Sequence, residues 1–512
     1  MHKKESVYLT TAIAYVNAPP HIGFALELLF TDVMARYQRL LGKDVRFLTG
    51  TDEHGQKIYK TAHDLGQSVE EFTNTTAAKY SELADIWNIS NDDFIRTTEK
   101  RHISGAQKFW IASLDNGDIY KKAYTGLYCV GCESFKTEKD LVDGKCPDHL
   151  KAPEVLEEEN YFFRLSKYQE PIEFLFEQRK DFVYPESRYN EMYNILKNGL
   201  EDISVSRAAN KLPWGIPVPG DDTQVMYVWF DALTNYITAL GYGSNDEKLF
   251  NEFWPATHVI GKEINRFHSL LWPAMLISAG VELPKQIAVH GWMTVDGQKM
   301  SKTIGNVINP LELTSKYSLE SVRYFLMREI PFDNDGDFSN TKFVDRYTSD
   351  LANGLGNLTS RILSMVEKYS NNQIPAVTEV DHSPIDLLEK EIWPTYIAYM
   401  DKWKFVHALE TAWKFITYCD QTISDKKPWS LAKEGKMEEV QNLLYHLCES
   451  LRHIAIMIYP VMPETAEKII GQLGLNPSTE FAKQISELQQ WSELTVGNQI
   501  TKGEILFPRL LI

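Results

Sequence analysis

The chain has 512 residues, which is too long for a single hydrophobic core, so we expect two to four domains. Its net charge of −17 argues against a protein that only coats nucleic acid, but allows one that binds a single RNA through local basic clusters. No apolar run is long enough to span a membrane and no secretory signal core follows the N-terminus, so a cytoplasmic protein is expected.

The first 50 residues have the pattern of a strand, a helix and a second strand. Residues 7–13 are rich in β-formers, a loop with two prolines follows, and apolar residues over 26–40 recur at helical spacing. Residues 45–48 predict the next strand. A strand–helix–strand unit of this length is typical of a parallel sheet.

Residues from about 118 to 216 interrupt this alternation and predict an insertion in the sheet domain. Its most specific feature is Cys129-x2-Cys132-x13-Cys146-x2-His149, which has the ligand types and spacing of a tetrahedral zinc site. All four ligands come from the protein, so the predicted site is closed and structural.

The rest of the chain predicts further strands and then helices only. Strand patterns occur at 225–229, 258–261 and 286–290, with a helix between the last two. Cys419 and Cys448 fall in the later helical patterns, and we expect them to be buried structural thiols. A helix bundle is predicted from helical stretches at roughly 343–370, 383–399, 401–424, 437–457 and 464–473.

Two short segments predict a phosphate site when they are considered together. His21 and Gly23 lie in the loop before the first helix, where backbone N–H groups and the helix dipole favour an anion. The second segment is Lys299-Met300-Ser301-Lys302-Thr303, whose two lysines suit a polyphosphate. Each segment alone has a more ordinary interpretation, as a structural histidine and as a solvated surface loop.

As a pair, the segments resemble the two signatures of class I aminoacyl-tRNA synthetases, His-Ile-Gly-His and Lys-Met-Ser-Lys-Ser. Phe24 stands in place of the second signature histidine, and Thr303 keeps the final hydroxyl. The segments 11–21, 50–55, 228–232 and 267–275 are similar to methionyl-tRNA synthetases in particular, and the likeness covers essentially the whole chain. It implies an α/β fold, with a class I Rossmann-type parallel sheet, a zinc-knuckle insertion and a following all-α anticodon-binding helix bundle.

The resemblance also implies how the chain is divided. The first half of the Rossmann catalytic domain is expected at 1–117, the connective insertion with the zinc knuckle at 118–216, and the second half of the catalytic domain at 217–325. A linker that contacts the tRNA stem follows at 326–345, and the helical anticodon-binding domain at 346–512. Many family members carry a further, dimerising tRNA-binding domain; the chain ends without one, so a monomer is expected.

By the same resemblance, His21, Lys299 and Lys302 are the expected catalytic residues. Family members usually have Asp where this chain has Glu263, and Phe24 receives no catalytic role because it cannot donate a hydrogen bond. The implied ATP site comprises His21, Gly23, Gly261, Glu263, Lys299, Met300, Ser301 and Lys302.

The implied methionine pocket has aromatic walls, which suit a thioether, and a carboxylate, Asp52, for the substrate ammonium. Ile264, His268 and Trp272 are four residues apart and are expected on one helix face. Ordinary core packing is the alternative for each aromatic residue. The implied pocket comprises Ala12, Ile13, Tyr15, Asp52, Trp229, Ala232, Leu233, Tyr236, Ile264, His268 and Trp272.

The resemblance places anticodon reading on Asn357, Arg361 and Trp429. Arg and Asn can hydrogen-bond base edges, and a Trp beside a proline turn can stack on an unpaired base. Without the resemblance, Trp429 is better interpreted as core packing. The Asn usual nine residues before this Trp is Asp420 here.

The expected reaction is ATP-dependent activation of L-methionine, with Mg²⁺, and transfer of the methionyl group to tRNA(Met). Homocysteine is a plausible misfit substrate, because one methylene is worth only ~1–3 kcal/mol in an apolar pocket. Two alternatives stay open. One is another class I synthetase such as the cysteine enzyme, whose zinc is catalytic, and the other is a noncatalytic tRNA-binding paralogue.

Overall fold

The computed structural model describes residues 4–130, 134–136, 138–147, 150–300 and 305–510. The strands are β1 (Ser6–Thr11), β2 (Ala14–Tyr15), β3 (Asp44–Asp52), β4 (Asp93–Arg96), β5 (Ile119–Cys129), β6 (Ser134–Lys136), β7 (Glu154–Phe163), β8 (Val183–Tyr184), β9 (Ile203–Ser204), β10 (Ser206–Ala208), β11 (Pro217–Val218), β12 (Asp221–Met226), β13 (Ala256–Gly261), β14 (Gln286–His290), β15 (Met293–Val295), β16 (Gln298–Lys299) and β17 (Gly336–Phe338).

Helices follow the strands throughout and replace them in the last third of the chain. The α-helices are α1 (Ile22–Leu40), α2 (Gln56–Asp64), α3 (Val69–Ile86), α4 (Lys100–Asp115), α5 (Gln169–Gln178), α6 (Glu186–Lys197), α7 (Val228–Leu233), α8 (Asn235–Thr238), α9 (Lys248–Phe253), α10 (Trp272–Ser278), α11 (Pro310–Lys316), α12 (Leu319–Glu329), α13 (Asn340–Arg346), α14 (Asn357–Ser370), α15 (His382–Leu387), α16 (Trp393–Met400), α17 (Phe405–Lys426), α18 (Pro428–Lys433), α19 (Met437–Ile458), α20 (Pro463–Gln472), α21 (Pro477–Glu480) and α22 (Ile485–Leu488). Short 3₁₀ turns span Glu138–Asp140, Leu165–Tyr168 and Lys262–Ile264, and π turns span Phe267–Leu271, Tyr347–Gly356 and Leu388–Ile392. Within the described ranges, no helix has the length and hydropathy needed to cross a bilayer.

The chain forms two compact units. The sheet unit consists of Ser6–Thr31 and Arg46–His290, and the helical unit consists of Met1–Glu5, Asp32–Val45 and Gly291–Ile512.

The sheet unit is built on a seven-stranded sheet with the order β2–β3–β1–β13–β14–β8, and β4 also pairs with β3. β1 runs parallel to β13, β13 to β14, and β3 to both β2 and β4. β13 is buried along its whole length, as expected of a parallel strand covered on both faces. The predicted strands near 7–13, 45–48, 258–261 and 286–290 are therefore confirmed, as is the α/β fold class.

Smaller antiparallel sheets interrupt the parallel one. β5 and β7 form a long ribbon within the order β6–β5–β7–β9, and β12 lies between β10 and β11. The prediction of a strand at 225–229 is wrong in its second half, because β12 ends at Met226 and α7 begins at Val228. A short apolar run does not distinguish a strand from a buried helix, and here the chain turns into a helix before Trp229.

The helical unit contains the predicted bundle, in which α14, α16, α17, α19 and α20 pack against one another. Cys419 on α17 and Cys448 on α19 are buried, as predicted, and burial raises the pKa of the Cys419 thiol to about 12. Arg452 on α19 is fully buried and donates to Glu449 Oε2 at 2.9 Å and to the Leu488 carbonyl at 3.0 Å. This arginine thereby joins the bundle to α22 near the end of the chain.

Candidate active site

The carboxyl ends of four neighbouring strands meet at one edge of the parallel sheet. β1 ends at Thr11, β3 at Asp52, β13 at Gly261 and β14 at His290. Because β1 lies between β3 and β13, the chain order reverses there, and ligands of doubly wound sheets bind at such a point. The edge is therefore the expected position of a substrate site.

The loop after β1 leads into α1 through His21. Its backbone carbonyl accepts from Phe24 N at 3.0 Å and Ala25 N at 3.2 Å, and its ring Nδ1 accepts from Gly23 N at 3.1 Å. When Nδ1 accepts, a neutral imidazole carries its proton on Nε2, which can then donate to a phosphate oxygen. The ring is exposed, beside the positive end of a 19-residue helix.

Phe24, at the position of the second signature histidine, packs into a small apolar cluster. Its ring meets the Tyr80 ring edge-on with centroids 5.0 Å apart. The Tyr80 hydroxyl donates to the Ala18 carbonyl at 3.1 Å, in the loop that carries His21. Phe24 therefore contributes to the position of this loop through its packing on Tyr80. The cluster is completed by Val16, Ile58, Ala62 and Phe72.

Most of the predicted methionine residues belong to the sheet unit's hydrophobic core or pack against it. That they form one pocket stays a prediction. Tyr236, Leu233 and Trp272 belong to that core. Ala232 is also buried. Partly buried residues that pack on the same core are Ala12, Ile13, Tyr15, Trp229, Ile264 and Phe267.

Two buried histidines are held neutral in this core. His268 Nδ1 lies 3.0 Å from the Ile264 carbonyl, which only accepts, so Nε2 must accept from the Tyr236 hydroxyl at 2.7 Å. His258 Nε2 accepts from Trp272 Nε1 at 3.2 Å. Burial lowers the pKa of His268 to about 4 and that of His258 well below its usual value. This part of the core is thus aromatic and uncharged.

The helix that carries part of this wall is irregular. Ile264 ends a 3₁₀ turn, His268 lies in a π turn and Trp272 begins α10, so the predicted helix is present but irregular. His268 Nδ1 lies 3.0 Å from the Ile264 carbonyl, and π turns are frequent at functional sites. That the three side chains share one face stays a prediction. Trp229 stacks on Phe267 with centroids 3.9 Å apart and stands edge-on to His268.

Asp52 supplies the predicted carboxylate at the end of β3. It is 7% exposed and lies in register with Tyr15 of β2. Its Oδ1 accepts from the backbone N–H of His54 at 3.4 Å. A nearly buried carboxylate is costly without a positive partner, so Asp52 is suited to a cationic ligand group.

Sequence reasoning missed Glu27 and His290, which face each other at 3.0 Å between Oε2 and Nε2. Glu27 Oε1 also accepts from Ala12 N at 2.9 Å. Burial raises the pKa of Glu27, against the lowering effect of His290, and the Glu263 charge raises it further. A signal was present in the sequence, since Glu27 is a charged residue between two leucines in an otherwise apolar run of α1.

Gly261 ends β13 and Glu263 follows two residues later. A Cβ at position 261 would lie 2.8 Å from Glu263 Oε2, so the glutamate folds back over the glycine, and a side chain there would displace its carboxylate.

The lysine segment begins in the helical unit. Lys299 ends β16, is exposed, and places its ammonium 4.0 Å from the Trp292 ring centroid. Met300 follows it, whereas Ser301, Lys302 and Thr303 lie outside the described residues. The convergence of this segment with His21 on one triphosphate stays a prediction.

Two of the four predicted zinc ligands can be placed. Cys129 is the last residue of β5, Cys146 follows a short β-bridge, and both are buried. Cys132 and His149 lie outside the described residues. Among the side chains that are described, no three or more His, Cys, Asp or Glu form a metal cluster. Buried thiols at a strand end and a turn fit a zinc knuckle.

The predicted anticodon residues lie in the helical unit. Asn357 is the exposed first residue of α14, and Arg361 one turn later donates to Asp420 Oδ1 of α17 at 2.6 Å. Trp429 is the second residue of α18 and is 42% exposed. An indole this exposed contributes little to the core and leaves a face for stacking.

Family models match the chain in two regions. The model described as tRNA synthetases class I (M) matches residues 7–152 and 149–363. The model described as anticodon-binding domain of tRNA ligase matches residues 394–504.

Curated relatives match along nearly the full chain. The methionine–tRNA ligase of Thermotoga maritima is 45% identical over 98% of this chain and 80% of its own length. The methionine–tRNA ligase of Bacillus subtilis is 43% identical over 99% of this chain and 78% of its own length. That of Streptomyces coelicolor is 41% identical over 99% of this chain and 97% of its own length.

Solved structures of one bacterial protein have the same fold. Mycobacterium tuberculosis methionyl-tRNA synthetase in complex with methionyl-adenylate is 39% identical, with a TM-score of 0.94 over 99% of this chain and 100% of that one. Its apo form is 36% identical, with a TM-score of 0.88 over 100% of both chains.

Proposed function

The chain belongs to the methionine–tRNA ligase family of class I tRNA synthetases, and we propose that it joins L-methionine to tRNA(Met) at the expense of ATP. The observation that supports the proposal is the neutral aromatic cluster of Tyr236, His268 and Trp229, the proposed aromatic wall, in the same unit whose strand β3 ends at Asp52. The wall suits an uncharged thioether, and the carboxylate suits the ammonium of an amino acid.

The first step is adenylate formation. A methionine carboxylate oxygen forms a bond to the α-phosphorus of ATP while the bond from that phosphorus to the bridging β-phosphate oxygen breaks, and pyrophosphate leaves with both electrons of that bond. Positioning and charge stabilisation suffice, so the protein needs no covalent nucleophile. The Nε2–H of His21 and the ammonium groups of Lys299 and Lys302 stabilise the phosphates, together with Mg²⁺ bound to the nucleotide.

The remaining ATP contacts are proposed for Gly23, Gly261, Glu263, Met300 and Ser301. Gly23 is the second residue of α1, and its backbone N–H lies against the ring of His21. Gly261 ends β13 at the carboxyl edge of the sheet. The exposed Glu263 carboxylate over Gly261 is suited to accept a hydrogen bond from a ribose hydroxyl.

In the second step, a hydroxyl of the terminal tRNA adenosine attacks the methionyl carbonyl and AMP leaves. We propose that Asn357, Arg361 and Trp429 select the tRNA by its anticodon. The exposed indole supports this, because an indole face stacks on any unpaired base.

We propose a structural Zn²⁺ held by Cys129, Cys132, Cys146 and His149. When bound, the ion would order the insertion and take no part in the reaction. Cys132→Ser should lower the zinc found by elemental analysis from about one ion per chain to almost none. Cys419→Ser, at a buried thiol in the helical unit, is the matched control, and full metal content in Cys132→Ser would refute the site.

We also propose that the protein is a cytoplasmic monomer. Light scattering that gives twice the mass of one chain would contradict the monomer.

One experiment tests the function against its rivals. ATP–pyrophosphate exchange is measured with methionine, homocysteine, cysteine and isoleucine, each in turn. The proposal requires exchange with methionine, and weaker exchange with homocysteine is expected. Exchange with cysteine alone would indicate the cysteine enzyme, and no exchange with any amino acid would indicate a noncatalytic paralogue.

A further inference from the structure

Asp231 is a fully buried carboxylate on α7, two residues after Trp229. Its Oδ2 lies 2.7 Å from His54 Nδ1, and its Oδ1 lies 2.7 Å from His102 Nε2. Carboxylate oxygens of an ionised aspartate only accept, so both histidines donate to it. Asp231 therefore joins three parts of the chain that are distant in sequence.

Each histidine extends the connection to a further element. The backbone N–H of His54 points at Asp52 Oδ1. Because the imidazole of the same residue contacts Asp231, that contact also orients the end of β3. His102 lies on α4, and its Nδ1 is 2.9 Å from the hydroxyl oxygen of Thr238. Thr238 belongs to α8, the short helix that also carries Tyr236.

The network carries a charge that the fold must stabilise. Burial alone would raise the pKa of Asp231, but His54 and His102 hold it below its usual value, so the carboxylate is ionised. An ionised carboxylate in the interior is costly unless each oxygen is hydrogen-bonded, and here both oxygens are.

Glu53, which follows Asp52 in the segment between β3 and α2, makes further contacts that fix this segment. Arg96 donates to both carboxylate oxygens of Glu53, at 2.6 and 2.8 Å, and Trp214 Nε1 donates to the Glu53 carbonyl at 2.6 Å. Glu53 is thus anchored to neighbouring strands and loops, and His54 is anchored to Asp231. The position of Asp52 depends on both attachments.

We propose that Asp231 is a positioning residue for the methionine site. Through His54 and His102, it sets the Asp52 carboxylate relative to the α7 and α8 residues that form the aromatic wall. The network then fixes the distance between the ammonium contact and the thioether contact, and affinity for methionine depends on that distance. This inference rests on the proposed function and extends it to a residue that does not touch the substrate.

The test is the kinetic effect of Asp231→Asn in methionine-dependent ATP–pyrophosphate exchange with the full chain. The amide carries no charge and has one acceptor oxygen, so both contacts lose their ionic part, and the histidine that faces the amide N–H must change its tautomer to keep a hydrogen bond. KM for methionine is expected to rise about tenfold or more, while KM for ATP changes less than about twofold. A merely structural role would lower the active fraction, and therefore the apparent kcat, and leave both KM values unchanged.

Two pairs of histidine variants keep the test decisive if Asp231→Asn does not fold. His54→Asn places an amide N–H near the Nδ1 position and His102→Gln places one near the Nε2 position, so both should keep KM for methionine within about threefold. His54→Ala and His102→Leu remove the donors and should raise it about tenfold.

The outcomes separate this inference from the proposed function. Absence of methionine-dependent exchange in the unmodified protein would overturn both. If the unmodified protein shows normal exchange, two results would overturn the positioning role alone. One is an unchanged KM for methionine in Asp231→Asn. The other is an equal KM for methionine in the two variants of each histidine pair. A joint rise in KM for methionine and for ATP would also overturn it, because the effect would not be specific to the amino-acid subsite.

Discussion

The Tyr236 hydroxyl donates to Nε2 of His268 at 2.7 Å, and this contact defines the character of the proposed methionine pocket. Because the opposite ring nitrogen of His268 donates to the Ile264 carbonyl, the ring has one tautomer and no charge. A neutral, oriented imidazole can border a thioether without the desolvation penalty that a charged ring would carry.

His268 should stay neutral well below the usual titration range of histidine. With a pKa of about 4, only about 3% of the ring is protonated at pH 5.5. Because the folded-state pKa is lowered, the unfolded chain takes up the proton first, so this residue costs stability as pH falls from about 6.5 to about 4. ¹⁵N-histidine NMR, with the resonance assigned by its loss in His268→Gln, checks this. A midpoint near 6.5 in the folded protein would contradict it.

Tyr236→Phe should weaken methionine binding. The change leaves the buried Nε2 of His268 without its donor, so the ring is free to adopt another orientation or tautomer. Restoring the binding orientation at a cost of about 1–2 kcal/mol should raise KM for methionine roughly five- to thirtyfold. KM for ATP should be unchanged. Tyr242→Phe is the matched control, because Tyr242 lies in the same core beside Phe109 and is not a predicted pocket residue. Equal effects of the two substitutions would contradict the role of the Tyr236 hydroxyl.

Phe24 should act on stability and not on the chemistry. Phe24→Ala removes the edge-on contact with Tyr80 and should lower the midpoint of thermal inactivation, at a cost of about 1–3 kcal/mol for this partly buried ring. Phe24→Leu keeps most of the apolar contact and should keep kcat for exchange within about threefold. A large loss of kcat in Phe24→Leu with an unchanged inactivation midpoint would show a catalytic role.

Lys302→Ala should slow methionine-dependent exchange with little change in KM for methionine. Loss of one charged contact to the phosphates should cost about 3 kcal/mol or more in transition-state stabilisation, which is at least a hundredfold in rate. Lys316→Ala removes an exposed lysine at the end of α11 and serves as the control. Unchanged exchange in Lys302→Ala would count against the predicted role of the lysine segment.

Trp429→Ala should impair tRNA charging selectively. Loss of a stacked base costs about 1–3 kcal/mol, so kcat/KM for tRNA(Met) should fall about five- to 150-fold. Amino-acid activation does not involve the anticodon and is measured in parallel by exchange. Trp429→Phe keeps a smaller aromatic face and should lose less. Equal charging by Trp429→Ala and the unmodified protein would rule out stacking on Trp429.

Much of the fold could be predicted because its signals are local. Apolar spacing indicates α1 and the helices of the bundle, and β-rich runs indicate β1, β13 and β14. The strand prediction at 225–229 failed because the chain turns into α7 two residues after Met226, and a five-residue apolar pattern does not encode that turn.

The amino-acid sequence by itself determined the family, the order of the elements and the types of residues available at the sheet edge, since each depends on short segments or on their order along the chain. Only the tertiary structure decided that Glu27 faces His290, that Asp231 joins two histidines 48 residues apart (54 and 102), and that Phe24 packs on Tyr80. These pairings depend on long-range packing, in which the burial of one polar group requires a partner from a distant segment, and no local pattern specifies which partner it is.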